Sequence, residues 1–246
     1  MSKRIRIGII TPSSNTTLEP LSQQIVSQLE DVTVHFSRFR VLEIALSTSA
    51  LAQFDNSKII EAARLLADAN VDVIGWSGTS SGWLGFAGDE RLCVDITKAT
   101  GIPATTSVLA LNKLVDTLNI TELSLLTPYT DDVQEAIIKN YAIIGVDCTK
   151  ERHLRQSHNA GFANIPVSQF DHMIAELVES GATTISVFCT GLQAAQRVAH
   201  WEQKYNICVL DTVATVIWDA LSIAGIDAHR VKGWGRLFEL SKRSCM

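Results

Sequence analysis

The fold is decided by the stretch Thr184-Ile185-Ser186-Val187-Phe188-Cys189-Thr190-Gly191-Leu192. An apolar run with β-branched residues stops there at a thiol, a hydroxyl and a glycine, and a helical pattern follows over Ala194 to Tyr205. We predict a buried parallel strand that delivers Cys189 to the loop at its carboxyl end, which is where ligands bind in open α/β sheets. The place of Cys189 shortly before this predicted helix would lower the pKa of its thiol and expose it.

An earlier strand pattern ends in a comparable small-residue loop, Val71-Asp72-Val73-Ile74-Gly75-Trp76-Ser77-Gly78-Thr79-Ser80. When the two strand ends are aligned, Gly78 stands where Cys189 stands. Two further landmarks recur in the same order and at nearly the same separation, Thr11-Pro12 as Thr127-Pro128 and Thr106 as Thr212. These matches indicate two copies of one α/β unit. Chance similarity between βα units is the alternative, and the agreement of three ordered landmarks argues against it.

Strand patterns alternate with helical patterns along the chain, which predicts parallel sheets with helices on both faces. We predict an α/β protein of two pseudo-symmetric, flavodoxin-like halves, each with a mainly parallel sheet flanked by helices. Residues 1–117 form the first half, with residues 212–246 packing back on it, and residues 118–211 form the second. One strand of the second half is expected near Gly145 to Thr149. The active site is expected in the cleft between the halves.

Composition narrows the class of protein. A chain of 246 residues with 46% hydrophobic content can bury a large core, and a net charge of -5 without a basic block argues against a nucleic-acid partner. No apolar run reaches the roughly 18 residues of a membrane span. The start of the chain runs directly into a strand pattern without a signal-peptide core, so we expect a cytoplasmic protein that has no membrane partner. The composition leaves the oligomeric state open.

The cysteines show neither metal-ligand spacing nor a disulfide framework. We therefore expect reduced thiols, no metal and no disulfide. Four of the five cysteines are expected to be structural; these are Cys93, Cys148, Cys208 and Cys245. Cys189 is the exception, because it stands at a strand end, although a buried inert thiol is the alternative there.

Four strand-end loops should converge on the cleft, and they contain hydroxyls, small residues and one amide but no Lys, Arg or His. The loops are Pro12 to Thr17, Gly78 to Gly82, Pro128 to Thr130, and Cys189 to Gly191. Backbone N–H groups and hydroxyls in such loops suit carboxylate oxygens, so a small dicarboxylate is the expected substrate. For any single hydroxyl, a cap or turn role is the alternative. Apolar walls could come from Trp76, Trp83, Leu84, Phe86 and Phe188. Residues 40–56 are expected near the site, and residues 150–166 as a lid.

Two segments carry a resemblance to a known superfamily. Gly8-Ile9-Ile10-Thr11-Pro12-Ser13-Ser14-Asn15-Thr16-Thr17, together with Phe188 to Leu192, resembles the aspartate/glutamate racemase superfamily over nearly the whole chain. That resemblance implies two pseudo-symmetric α/β halves. Its racemases place one cysteine on each side of the substrate for two-base proton transfer. This chain has the second cysteine, Cys189, and has Gly78 in place of the first.

Two branches of the superfamily fit this pattern. Gly78-Thr79-Ser80 with Cys189 resembles arylmalonate decarboxylase, which needs no cofactor, and Tyr129 looks like its active-site tyrosine. Maleate cis-trans isomerase has a first loop matched by Pro12 to Thr16, with Asn15 as a carboxylate binder, but its nucleophilic cysteine stands where Gly78 stands here. The catalytic residues implied by the resemblance are Cys189, Thr79, Ser80 and Tyr129, and the implied substrate-binding residues are Pro12, Ser13, Ser14, Asn15, Gly78, Thr190 and Gly191.

One thiol cannot serve as acid and base on opposite faces, so we predict decarboxylation of a malonate-type substrate, with Cys189 protonating an enediolate. Isomerisation of maleate or racemisation of an amino dicarboxylate is the alternative within the superfamily. A serine hydrolase is a further alternative, because Gly78 to Gly82 fits G-x-S-x-G and Asp211 and His229 follow in hydrolase order. Against it, Trp83-Leu84-Gly85 should delay the helix that follows a nucleophile elbow. A non-catalytic carboxylate binder is the remaining possibility.

Overall fold

The computed structural model describes residues 4–47, 53 and 56–240. Eight parallel β-strands in these ranges form two four-stranded sheets. The first sheet contains β1 (Ile5–Pro12), β2 (Val32–Phe39), β3 (Val73–Trp76) and β4 (Ala104–Thr106). The second sheet contains β5 (Ser124–Thr127), β6 (Glu151–His153), β7 (Thr184–Val187) and β8 (Cys208–Asp211).

Helices flank both sheets. The α-helices of the described residues are α1 (Leu18–Val26), α2 (Asn56–Asp68), α3 (Ser81–Leu84), α4 (Ala87–Thr100), α5 (Ser107–Thr117), α6 (Asp131–Ile143), α7 (Val167–Glu179), α8 (Val198–Tyr205) and α9 (Thr212–Ile223). Short 3₁₀ turns cover Asn159–Asn164, Ala195–Arg197, Ala228–Arg230 and Arg236–Glu239. None of the helices in the described ranges has the length and apolar character needed to cross a membrane.

The two sheets have the same strand order. The first runs β2-β1-β3-β4 and the second runs β6-β5-β7-β8, so each places its second strand at one edge and its first strand next to it. Every neighbouring pair is parallel, with Ile7 opposite Val73 in the first sheet and Leu125 opposite Ser186 in the second. The prediction of two pseudo-symmetric halves with parallel sheets flanked by helices is confirmed.

One strand position is wrong. The segment expected to form a strand near Gly145 to Thr149 makes only an isolated bridge, between Asp147 and Glu122. The strand itself, β6, lies a few residues later and pairs with β5. Val146 and Cys148 are buried as the alternating pattern requires. An alternating burial pattern can therefore occur without the hydrogen bonds of a β-ladder. Which residues form the strand is set by pairing with the neighbouring strand.

Helix α9 is buried nearly all round, as expected of a helix with apolar residues on every face. It packs against α5, α1 and strands β3 and β4 of the first sheet, and it also touches β8. The N-termini of α5 and α9 are joined by a hydrogen bond from the Ser107 hydroxyl to the Thr212 carbonyl, 2.7 Å. The tail beyond α9 reaches both halves, since Arg230 pairs with Asp31 and the Arg236 amide donates to Glu202. Cys245 lies outside the described residues, and the other four cysteines are free thiols.

Candidate active site

A small cavity of about 20 Å³ lies where loops of the two halves meet. It is lined by Pro12, Val41, Ile44, Trp76, Gly78, Thr79, Ser80, Trp83, Tyr129, Asn159, Cys189 and Thr190. None of these described residues carries a cationic or carboxylate side chain. The space holds about one water molecule, so a dicarboxylate can enter only if part of the lining moves.

Seven of the residues predicted for the site line this cavity. They are Pro12, Gly78, Thr79, Ser80, Tyr129, Cys189 and Thr190. Ser13, Ser14, Asn15 and Gly191 do not line it and lie behind it, where they hold the loops. The Ser13 hydroxyl accepts from the Val41 amide, 3.3 Å, and the Ser14 hydroxyl donates to the Val41 carbonyl, 2.5 Å.

Cys189 follows β7 and is only 3% exposed. Burial raises the pKa of its thiol to about 12, although the Tyr129 hydroxyl and the Gly191 amide act in the opposite direction. The Gly191 N–H points at Sγ from 3.4 Å. The expectation that a following helix would expose this thiol and lower its pKa is wrong, because turns and a 3₁₀ segment separate Cys189 from α8. At neutral pH the group is therefore a thiol that carries its proton.

Thr79 and Tyr129 face each other across the two halves. Their hydroxyl oxygens are 2.6 Å apart and both side chains are buried. The Tyr129 ring is held edge-on by Trp83 and Phe162, at centroid distances of 5.2 and 6.0 Å. Burial raises the pKa of Tyr129 well above its usual value, so its hydroxyl remains a neutral donor. The pair offers O–H groups to an anion without any opposing charge.

Asn15 joins the first and fourth loops. Its amide nitrogen donates to the Thr190 carbonyl, 3.1 Å, and lies 3.3 Å from the Thr190 hydroxyl. Its oxygen accepts from the amides of Thr17 and Leu18, 2.9 and 3.0 Å, at the start of α1. Asn15 is 3% exposed. In this closed state all of its hydrogen-bonding capacity is used within the protein, so it acts as a clamp between the halves.

The roof of the cavity is formed by two segments, one from each half. Residues 41–44 pair with residues 157–159 through an isolated antiparallel bridge between Glu43 and His158. The Ile44 amide donates to Ser157, 2.9 Å, and the Asn159 amide donates to Leu42, 3.2 Å. Val41, Ile44 and Asn159 line the cavity from this roof and were not predicted individually, although the surrounding ranges 40–56 and 150–166 were. Residues 48–52 and 54–55 of the first range lie outside the described residues.

Gly78 has no room for a side chain. A Cβ atom there would lie 2.1 Å from Cζ2 of Trp76 and 2.4 Å from Cε2. The indole of Trp76 therefore fills the position in which a side chain at residue 78 would begin. Trp76 and Trp83 line the cavity as expected of apolar walls, whereas Leu84, Phe86 and Phe188 do not.

The structure agrees with the serine hydrolase alternative at the helix that follows Ser80, but it does not bring Asp211 and His229 to Ser80. Helix α3 begins directly after Ser80, so the expected delay of a helix is wrong. His229, however, lies in the tail, where its ring nitrogens face Asp227, 2.8 Å, and the Glu239 carbonyl, 3.1 Å. Asp211 caps α9 by accepting from the amides of Val213 and Ala214. Neither lines the cavity with Ser80, so no triad is assembled.

Within the described ranges, no three His, Cys, Asp or Glu side chains come together as a metal site. What the cavity brings together is one protonated thiol, the four hydroxyl-bearing residues Thr79, Ser80, Tyr129 and Thr190, the amide of Asn159, and apolar side chains beside them. Neutral donors of this kind stabilise negative charge that develops during a reaction. The thiol can deliver a proton to a carbon held against it.

The chain is similar to one protein family and to relatives with two named activities. A family model described as arylmalonate decarboxylase matches residues 7–238. Arylmalonate decarboxylase from Bordetella bronchiseptica is 27% identical over 189 residues, which cover 74% of this chain and 78% of that protein. Maleate isomerase from Geobacillus stearothermophilus is 22% identical over 242 residues, 93% of this chain and 95% of that protein.

The fold also matches a solved structure. The maleate cis-trans isomerase of Nocardia farcinica, with a covalently bound succinylcysteine intermediate, superimposes with a TM-score of 0.87 at 22% identity. The match covers 96% of this chain and 99% of that one. An unliganded arylmalonate decarboxylase superimposes with a TM-score of 0.79 at 24% identity, over 96% of this chain and 100% of that one, so similar proteins of both named activities share this architecture.

Proposed function

The chain belongs to the arylmalonate decarboxylase family, and on that premise we propose that it is a lyase that decarboxylates a malonate-type dicarboxylate without a cofactor. In this reaction the bond from the α-carbon to one carboxylate breaks and CO₂ leaves. The electron pair stays on the α-carbon and spreads into the retained carboxylate as an enediolate. Cys189 then donates its S–H proton to the α-carbon, and solvent restores the proton on sulfur.

The retained carboxylate would be held by Thr79, Ser80 and Tyr129. Because Thr79 and Tyr129 bond to each other in the closed state, a carboxylate oxygen that enters between them can accept from either hydroxyl. Charge grows on that oxygen as the enediolate forms, so these bonds strengthen in the transition state. Removing one such donor typically costs about 2.7 to 4 kcal/mol of barrier.

The departing carboxylate would face the apolar part of the lining. Val41, Ile44 and Trp83 are buried side chains that offer it no hydrogen bond from a charged group. A carboxylate in such surroundings is disfavoured relative to uncharged CO₂. The hydroxyls of Thr79, Ser80 and Tyr129 and these apolar side chains thus treat the two carboxylates differently, which is what a decarboxylase of a symmetric dicarboxylate requires.

The observation that carries the proposal is the contrast between Gly78 and Cys189. One side of the cavity has a protonated thiol, and at the aligned position the other side has a glycine backed by Trp76. Proton transfer from a single face needs only the thiol, whereas two-base exchange needs a second group. The new C–H bond should therefore have one configuration.

Maleate isomerisation is the second candidate, because a maleate isomerase matches 93% of the chain. The Nocardia farcinica isomerase carries its intermediate on a cysteine. A nucleophilic role needs a thiolate, and the raised pKa of Cys189 opposes one. With no thiol at residue 78, this chemistry has a weaker basis here than proton donation.

An assay against maleate, aryl- and alkylmalonates and amino dicarboxylates, with EDTA present, separates the candidates. CO₂ release from a malonate, with no fumarate formed from maleate, is the expected result. Fumarate formation without CO₂ release would instead establish the isomerase. Turnover of any ester that is abolished by Ser80→Ala would establish a hydrolase, and tight binding without turnover would leave a carboxylate-binding protein.

A further inference from the structure

We propose that Trp76 is the specificity-determining residue of this site, because its indole separates the active-site cavity from a second cavity and occupies the place of any side chain at residue 78. The part of this proposal that concerns substrates rests on the proposed decarboxylase function. The part that concerns packing does not. Truncating Trp76 should join the two cavities and make room both for a larger α-substituent and for a side chain at position 78.

The second cavity lies on the other side of Trp76. It measures about 60 Å³ and is lined by Asn56, Ile59, Leu84, Asp89 and Leu92, among others. Trp76 and Ser80 line both cavities. The wall between the two spaces therefore contains one large side chain, and removing that side chain opens one space into the other.

Trp76 is held firmly in this position. It ends β3, is 1% exposed and packs against the Phe39 ring at a centroid distance of 5.0 Å. Close packing against Phe39 makes displacement of the indole costly, although a cavity lies on either side of it. A substrate that needs space in the second cavity would have to displace a buried tryptophan, so the native enzyme should favour compact α-substituents.

Gly78 gives the second, independent observation. A Cβ atom there would lie 2.1 Å from the Trp76 indole, a distance that forces a shift. Gly82 provides a matched control, since its Cβ atom would lie 2.5 Å from the Phe188 ring instead. Both glycines therefore resist substitution, but different aromatic rings block them.

The packing test is a set of melting temperatures for Gly78→Ala and Gly82→Ala, each in the native, Trp76→Leu and Trp76→Ala backgrounds. In the native background both glycine substitutions should lower the melting temperature by about 5 °C, as overpacking does in a chain of this size. In both Trp76 backgrounds Gly78→Ala should lower the melting temperature by less than half of that amount. Gly82→Ala should lower it by as much as in the native background. An equal decrease in melting temperature for Gly78→Ala in all three backgrounds would overturn the proposal. If Trp76→Ala fails to fold, the Trp76→Leu series gives the same comparison.

The substrate test compares methylmalonate with benzylmalonate. Trp76→Leu should raise the ratio of kcat/KM for benzylmalonate over methylmalonate by at least about tenfold, the scale at which a pocket senses added bulk. An unchanged ratio would overturn the assignment of specificity. If neither native enzyme nor variant releases CO₂ from any malonate, the proposed function fails, and the melting temperatures still decide whether Trp76 blocks residue 78.

Discussion

Replacing Tyr129 with phenylalanine tests the proposed oxyanion donors most sharply. The substitution keeps the ring between Trp83 and Phe162 and removes only the hydroxyl, which lies 2.6 Å from Thr79 Oγ1. One donor to the developing enediolate is lost. We expect kcat to fall by about 10² to 10³, which corresponds to about 2.7 to 4 kcal/mol of barrier.

The same change should also affect stability. It leaves the buried Thr79 hydroxyl without its partner, which costs about 1 to 2 kcal/mol of unfolding free energy. For a chain of this size that is roughly 2 to 8 °C in melting temperature. The loss of activity should greatly exceed what partial unfolding at the assay temperature could explain.

Tyr141 supplies the matched control. It is equally buried, its ring packs against Phe86 and Phe188, and its hydroxyl has no hydrogen-bond partner among the described residues. Tyr141→Phe should therefore keep kcat and should leave the melting temperature unchanged or higher. The assay is CO₂ release from the malonate that the native enzyme turns over fastest, measured beside calorimetric melting. A Tyr129→Phe enzyme with kcat within threefold of the native value would refute the reasoning.

Three further predictions concern protonation and the clamp. Because burial raises the pKa of Cys189 to about 12, kcat should not fall through ionisation of this thiol between pH 7 and 9, and a loss with a midpoint near 8.5 in the pH profile would contradict this. Asn15→Ala should lower unfolding free energy by about 2 kcal/mol, because the Thr17 and Leu18 amides lose their cap; an unchanged melting temperature with a much higher KM would indicate a substrate contact instead. Burial raises the pKa of Asp211 from 3.8 to about 7, so the stability linked to its protonated form is fully present below pH 4 and is lost as pH rises through 7. Melting curves should show native stability falling from pH 5 to 8 by up to roughly 3 kcal/mol, with a smaller fall in Asp211→Asn; equal falls in the two proteins would contradict a role of Asp211 in this pH dependence.

The sequence predicts those parts of the fold that depend on local pattern. Apolar periodicity located β3 and β7, and the Thr11-Pro12 and Cys189-Thr190 landmarks correctly indicated two equivalent halves. Hydroxyls at strand ends identified Thr79, Ser80 and Tyr129, which do line one cavity. Each of these features is encoded within a few residues of the strand that carries it.

Features that arise from contacts between the halves were not predictable in this way. Val41 and Ile44 reach the site because their segment pairs with residues 157–159, more than a hundred positions away. The pKa of Cys189 was predicted in the wrong direction because desolvation comes from the closed cleft, whereas a helix N-terminus is a local signal. That the Trp76 indole fills the empty position at Gly78 also depends on side-chain packing that the pattern does not contain.

The most direct measurement is the configuration of the product from a prochiral disubstituted malonate that the native enzyme turns over, made in D₂O and compared between native enzyme and Cys189→Ala. A single enantiomer carrying one α-deuterium from the native enzyme is predicted, with turnover lost in the folded variant. The same enantiomer formed at an unreduced rate by Cys189→Ala would contradict the account, because some other group would then be delivering the proton.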